Sequence, residues 1–454
     1  MKPRLSLRLA CLSAALLVAG CATTDIDQTL AETNQVTRDF TSGNLELSRT
    51  AQQRDARAQL SEQLLAKPLA MDDAVQLALA NSPSVQTLLA QGWADTANAD
   101  QSGRIANPVF TFERIRFKDE LELGRLLAFG LLDLLTLPQR QALARNQSAQ
   151  AQLQLTAGVV EQVSQVRQAW VRAVAARQTL GYAEQVNQAA EAAAELARRM
   201  QQVGNFTKLQ RARQHAFYAD AAAQLASARH ASTAAREELV RQLGLTEAQA
   251  LKLQLPERLP DLPKEPRGIA QVSAAATDQR LDVRLAKLQL EGAGRAQGLN
   301  LLTSVVDVEL GVRHDTVYDN AAGTKDNRKG YELAVRLPIF DWGNAQRASM
   351  NAQSLAAANR YEGAVRSASS QLRESYSAYR TAYDLAKHYR EEVVPLRKVM
   401  AEENVLRYNG MLIGVFELLA ETREQIASVM AAINAEQQFW LADAALASAL
   451  MGKP

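Results

Sequence analysis

The chain has 454 residues, with 51 Lys and Arg against 49 Asp and Glu and a formal charge of +2. That length allows more than one domain, and the near-even charge gives no global bias toward nucleic acid. Any partner has to be read from individual segments.

Lys2, Arg4 and Arg8 precede an apolar run from Leu9 to Val18, which is too short for a spanning helix and has the layout of a secretory signal over residues 1–20. Val18, Ala19, Gly20 and Cys21 resemble a bacterial lipoprotein cleavage box. That likeness implies a palmitate-bearing Cys21 as the first mature residue, and Ala22 after it implies transfer to the outer membrane of a Gram-negative cell. Cys11, the other cysteine, lies in the part expected to be removed, so no disulfide or cysteine metal site is expected. Past the signal no uninterrupted apolar stretch approaches 20 residues, so a membrane crossing would require a closed barrel.

Residues 21–67 are polar, with few large apolar side chains, and read as a tether with some helix. A first repeat is expected over 68–250. A helical pattern starts at Met71, with Asp72 and Asp73 suited to a first turn, and runs into the break Asn81, Ser82, Pro83 and Ser84, where a new helix starts. After Ile105, Ala106, Asn107 and Pro108 comes a candidate hairpin, Val109 to Phe117 and Leu121 to Leu135, closed by Leu137 and Pro138 (strands about 105–137). Phe110 and Phe112 take one phase while Ile115 and Phe117 take the other, which suggests a bulge or a shorter strand. A helical hairpin then covers about 139–243. Val159, Val163, Val166, Trp170 and Val174 form its heptad-like seam, Gly204 and Asn205 break it, and Gly244 ends it.

Pro256, Pro260, Pro263 and Pro266 mark an extended linker over 251–268. The order then starts again over 269–454. A helix contains Arg280, Leu281, Asp282, Val283, Leu285 and Leu288, and strands follow at about 301–341. A second helical hairpin occupies about 344–451. Val306, Val308, Leu310 and Val312 alternate with Asp307, Glu309, Gly311 and Arg313. After a polar loop over residues 319–330, Tyr331, Leu333, Val335 and Leu337 alternate with Glu332, Ala334 and Arg336. One side suits lipid and the other water, although a half-buried strand pair of a soluble sandwich alternates in the same way. Gln139 and Arg140 match Gln346 and Arg347 at an offset of 207, Gly204 matches Gly410 at 206, and Gly244 matches Gly452 at 208. These offsets indicate a duplication of helix, strand hairpin and long helical hairpin.

With these residues in order, the chain resembles the TolC-like outer membrane efflux proteins. The likeness rests on Asn81 to Ser84, Ile105 to Phe112, Leu337 to Gly343, and the segments Gly204 to Leu209 and Arg407 to Leu419. It implies a mainly α fold with a membrane β-barrel portion. In such a homotrimer each chain gives four strands to a twelve-stranded barrel, continued by an α-helical barrel. The residues agree on one point, since four strands cannot close around a lumen and single-chain barrels start at eight. The likeness further implies an exit duct in the outer membrane lipid, working with a periplasmic adaptor and an inner-membrane transporter in efflux or type I secretion. The competing expectation is a lipid-anchored periplasmic coiled-coil scaffold that does not conduct.

No catalytic, cofactor or metal constellation stands out around His215, His230, His314 and His388. Glu417 and Glu421, four apart on one helix face, occupy the place where the family has an anionic periplasmic aperture; a solvated outer face would carry the same pair. The turns Gly204, Asn205, Phe206, Leu209 and Tyr408, Gly410, Met411, Leu412, Gly414 resemble the adaptor-docking end. There Gly would supply the reversal, and exposed Phe206, Met411 and Leu412 would await a partner. Leu419, Ile426, Ile433 and Trp440 repeat every seven residues as a packing seam.

Overall fold

The computed structural model describes residues 26–268, 279–303, 307–337 and 339–452. The expected signal segment, Cys21, Val306 and Pro338 lie outside them. The elements in chain order are α1 (Ile26–Thr41), α2 (Ala51–Leu65), α3 (Met71–Asn81), α4 (Pro83–Ser102), β1 (Val109–Phe117), β2 (Glu120–Gly130), α5 (Leu131–Leu135), α6 (Leu137–Gln202), α7 (Lys208–Leu243), α8 (Glu247–Lys252) and α9 (Leu281–Thr303). They continue with β3 (Asp307–Asp319), β4 (Thr324–Arg336), α10 (Asn344–His388), a π-turn (Tyr389–Val393), α11 (Val394–Asn409) and α12 (Val415–Met451).

Several expected boundaries move. β2 stops at Gly130, because the leucines of Leu131–Leu135 do not alternate and coil into α5 instead. Leu301 belongs to α9 rather than to a strand. The expected polar loop over 319–330 shrinks to residues 320–323, since β4 pairs with β3 back to Thr324. Asp319 closes that short turn by accepting the backbone N–H groups of Ala321 and Ala322 at 2.9 and 3.0 Å. Of the expected bulge or shorter strand in this hairpin, the shorter strand is found, in β2, and the bulge is not: Val109↔Ala128 through Phe117↔Glu120 pair without interruption.

The chain forms two compact units. One, built from the described residues of Ile26–Thr33, Gln91–Gln152 and Lys287–Arg360, contains a four-stranded antiparallel sheet of order β1-β2-β3-β4. The two hairpins, remote in sequence, join through β2 and β3 (Glu120↔Asp319 to Gly130↔Glu309). β1 and β4 are left as edges.

The other unit, from Asn34–Ala90, Leu153–Ala286 and Tyr361–Pro454, is helical. Val159, Val163, Val166, Trp170 and Val174 are all buried as the seam of α6, a 66-residue helix. α10, the π-turn and α11 run over the equivalent stretch, and the π-turn ends just before Pro395. Proline cannot donate a helical hydrogen bond and clashes with the preceding turn, and a wider turn relieves both.

The linker is extended and held in place by aromatic side chains. Tyr383 donates to the carbonyls of Pro263 and Lys264, Trp440 Nε1 donates to that of Pro260, and the Arg267 N–H donates to Tyr379 Oη. Tyr379 and Tyr383 pack on fully buried Phe439 with centroids 5.6 and 5.7 Å away. Arg267 also pairs with Asp443 at 3.0 Å. Burial pushes the Asp443 carboxyl above its ordinary value, against the pull of Arg267 and Arg167.

At the end of α7, Gly244 takes φ +64, and Asn81 Nδ2 donates to its carbonyl at 2.8 Å. A Cβ here would lie 2.5 Å from Pro83 Cδ and 2.6 Å from Ser82 Cα. The Asn-Ser-Pro-Ser junction therefore packs against a position only glycine can fill. Gly244→Ala is expected to cost more than about 2 kcal/mol, combining left-handed strain with overpacking. Gly204→Ala, also at positive φ but with nothing within 4 Å, should cost only about 1 kcal/mol. Thermal unfolding of the two variants checks the difference, and equal losses would contradict it.

Candidate functional site

Side chains directly opposite each other across strand pairs share a face, and neighbours along a strand alternate. The register therefore sorts the whole sheet. One face carries Phe110, Leu127, Val312 and Tyr331 in one row, Phe129, Leu310 and Leu333 in the next, and Val308 with Val335 beyond. These side chains are mostly exposed, Tyr331 at 87% and Leu333 at 62%. Toward the hairpin turns the same face becomes cationic, with Arg114, Arg116, Arg125, Lys325 and Lys329. Arg125, which interrupts an apolar run in the sequence, lies in the row Phe112, Arg125, His314 and Lys329, outside the apolar band.

Every Asp and Glu of the four strands lies on the opposite face. They are Glu113 on β1, Glu120 and Glu122 on β2, Asp307, Glu309, Asp315 and Asp319 on β3, and Asp326 and Glu332 on β4. Three arginines, Arg313, Arg328 and Arg336, share it. Arg313 reaches carboxylates on three strands: Asp315 at 2.8 Å, Glu113 at 3.2 Å and Glu332 at 3.9 Å. Gly124 leaves the space for this, since a Cβ there would meet Asp315 Oδ1 at 3.2 Å and Arg313 Nη2 at 3.4 Å.

The two helix reversals use one geometry with different residues. In the first, Asn205 N donates to Met200 O at 2.9 Å and Gly204 N to Gln201 O at 3.0 Å. In the second, Leu412 N donates to Arg407 O at 2.8 Å and Met411 N to Tyr408 O at 2.9 Å. Both are Schellman closures. The left-handed position is Gly204 (φ +81) in one and Met411 (φ +56) in the other. The structural equivalent of Gly204 is thus Met411, at the same offset of 207 as Gln139 and Gln346, and not Gly410, whose φ is −78. Phe206 and Ile413, also 207 apart, are both buried at 8%, so the expectation of an exposed Phe206 does not hold. It plugs its turn while Met411 (93% exposed), Leu412 and Leu209 stand in the open.

The offset also separates the two glutamates. Thr207 caps α7 with a reciprocal bond to Gln210. The matching residues at α12 are Gly414, which has no side chain to cap with, and Glu417. Glu417 is exposed; its backbone N–H donates to Gly414 O at 3.1 Å, and its carboxylate forms no hydrogen bond or ion pair among the described residues. Glu421 instead pairs with Arg397 of α11 at 3.1 Å, and Arg397 also reaches Glu424 at 3.4 Å. Arg423 ties α12 to α7, donating to Gln214 Oε1 at 3.1 Å and stacking over Phe217 at 4.3 Å. Sequence spacing gives no sign of either tie. Among the described residues no group of His, Cys, Asp or Glu could hold a metal ion, and no helix is long and apolar enough to cross a membrane.

No protein-family profile and no curated protein sequence matches the chain. Solved structures do. The outer membrane protein VceC from Vibrio cholerae superposes with a TM-score of 0.68 at 16% identity, over 88% of this chain and 97% of that one. The open state of the Neisseria gonorrhoeae MtrE outer membrane channel gives 0.67 at 18% identity, over 84% and 89%. A membrane protein from Pseudomonas aeruginosa gives 0.70 at 20% identity, over 84% and 93%. The chain has the fold of these outer membrane proteins. Within that fold both the sheet and the two reversals carry exposed apolar side chains.

Met411 combines a strained backbone with an exposed apolar side chain. Met411→Gly should therefore raise stability by about 1 kcal/mol, because a left-handed non-glycine residue costs roughly that much. The thermal midpoint of the purified protein tests this, and a fall would mean that the Met411 side chain stabilises the free turn.

Proposed function

We propose that the chain is the outer membrane exit duct of a tripartite efflux or type I secretion assembly, a passive conduit whose energy comes from an inner-membrane transporter. The observation that carries this reading is the sheet, which has one exposed apolar face, one charged face and two unpaired edges. Unpaired backbone groups cost several kcal/mol each in lipid, so such a sheet can enter a membrane only when its edges are paired. An even number of antiparallel strands leaves β1 and β4 running in opposite directions. β4 of one copy can then pair antiparallel with β1 of the next. Three copies make a twelve-stranded barrel, with the apolar face toward lipid and the acidic face around the lumen.

The reversals at Gly204 and Met411 are the proposed adaptor-docking sites, with Met411, Leu412 and Leu209 as the apolar contacts and Tyr408, Asn205, Gly410 and Gly414 shaping the turns. Glu417, unengaged at a helix start, is the proposed aperture carboxylate, repeated once per copy. Glu421 is reassigned as a tie to Arg397, holding α12 on α11. Cys21 is proposed as the lipid anchor.

Planar-bilayer recording of the full-length trimer tests the reading. Discrete cation-selective steps are expected, with reduced cation preference in Glu417→Gln. Glu421→Gln should act differently, releasing α12 from α11 and raising the open fraction. Anion-selective steps would overturn the lumen assignment, and the absence of both trimers and steps would favour the non-conducting scaffold.

A further inference from the structure

The cations of the apolar face have no carboxylate partner among the described residues. Arg114, Arg116, Arg125, Lys325 and Lys329 form no ion pair among the described residues, whereas Arg313 on the opposite face engages three carboxylates. Arg125 reaches only the Thr316 hydroxyl, at 3.5 Å, and Lys325 lies over the Tyr318 ring. No acidic residue of the four strands shares their face. The five occupy three successive rows, which at about 3.4 Å per residue spread over roughly 14 Å along the strands. All lie on the hairpin-turn side of the band formed by Phe110, Leu127, Val312 and Tyr331.

Unpaired cations bordering a lipid-facing band stand at headgroup depth. The strand ends away from the hairpin turns lead into the long helices. If those helices extend into the periplasm, the cationic rows lie at the outer leaflet. We infer that these five side chains form a binding belt for the phosphate groups of phosphorylated glycolipid headgroups in the outer leaflet. This rests on the channel reading above. Guanidinium groups bind phosphate in bidentate fashion, and each Lys or Arg near an anionic membrane surface adds measurably to attraction. Arg125 on β2 and Lys329 on β4 flank β3, two strand spacings of about 4.8 Å and so roughly 10 Å apart, and they can engage separate phosphates of one headgroup or of two neighbours.

The test uses the full-length trimer in phosphatidylethanolamine nanodiscs, titrated with lipopolysaccharide and with its enzymatically dephosphorylated form. Wild type is expected to bind the phosphorylated lipid about tenfold or more tightly than the dephosphorylated one. Arg114→Gln/Arg116→Gln and Arg125→Gln/Lys329→Gln should each remove most of that preference, while Arg328→Gln on the acidic face should leave it intact. Bilayer steps recorded from the same preparations show that each variant is folded and inserted. A conducting protein that binds both lipids equally, or whose preference survives both double substitutions, overturns the belt and leaves the channel reading standing. A preference for a soluble acidic polysaccharide or peptide over the lipid also overturns it. A protein that neither trimerises nor conducts overturns the channel reading and the belt together.

Discussion

The backbone groups along the free edges of β1 and β4 set the terms for the rest of this molecule. A sheet whose exposed face carries Phe110, Val312, Tyr331 and Leu333 is poorly suited to water, yet its edges are equally unsuited to lipid. Copies joined head to tail around a ring resolve both conflicts. The four-strand count makes this possible because the edges run antiparallel to each other. Closure would also turn the sheet from an aggregation hazard into a pore, with its charge already sorted to one side.

The helical unit answers a different demand, which is length with little material. Two helical hairpins built on one plan carry the same Schellman reversal and end in left-handed glycines, Gly244 and Gly452. Their sequences have diverged at the places that matter chemically. Gly244 is held by Asn81 and faces Pro83, whereas Gly452 accepts a hydrogen bond from Asp282 N beside the Arg280–Asp282 pair. Thr207 and Gln210 cap a helix start with their side chains, whereas Gly414 and Glu417 supply no side-chain cap.

Periodic features were legible in the sequence. The alternation of Val308 to Val312 and Tyr331 to Val335 placed the apolar face, and the valine seam of α6 placed its core, because both depend on local period alone. What depends on distant pairing was not legible. Nothing near Glu120 announces Asp319 as its partner, so the joining of the two hairpins and the true company of Arg125 came only with the register. Met411 was missed for another reason: propensity places glycine at a left-handed cap, and Gly410 stood one residue away to receive the assignment. Likewise the spacing of Glu417 and Glu421 could not reveal Arg397, which approaches Glu421 from another helix.

The central claim is that β1 of one copy pairs with β4 of the next. Cysteine at Thr111 on β1, combined in turn with cysteine at Glu332 or Ala334 on β4, measures it by non-reducing electrophoresis of outer membranes. Within one chain the two edges are three strand spacings apart, roughly 14 Å, which is too far for a disulfide. The account predicts covalent dimers and closed trimers from a double variant and none from the corresponding single β1 and β4 cysteine variants. Monomers alone from every double-cysteine pair across both edges would contradict it.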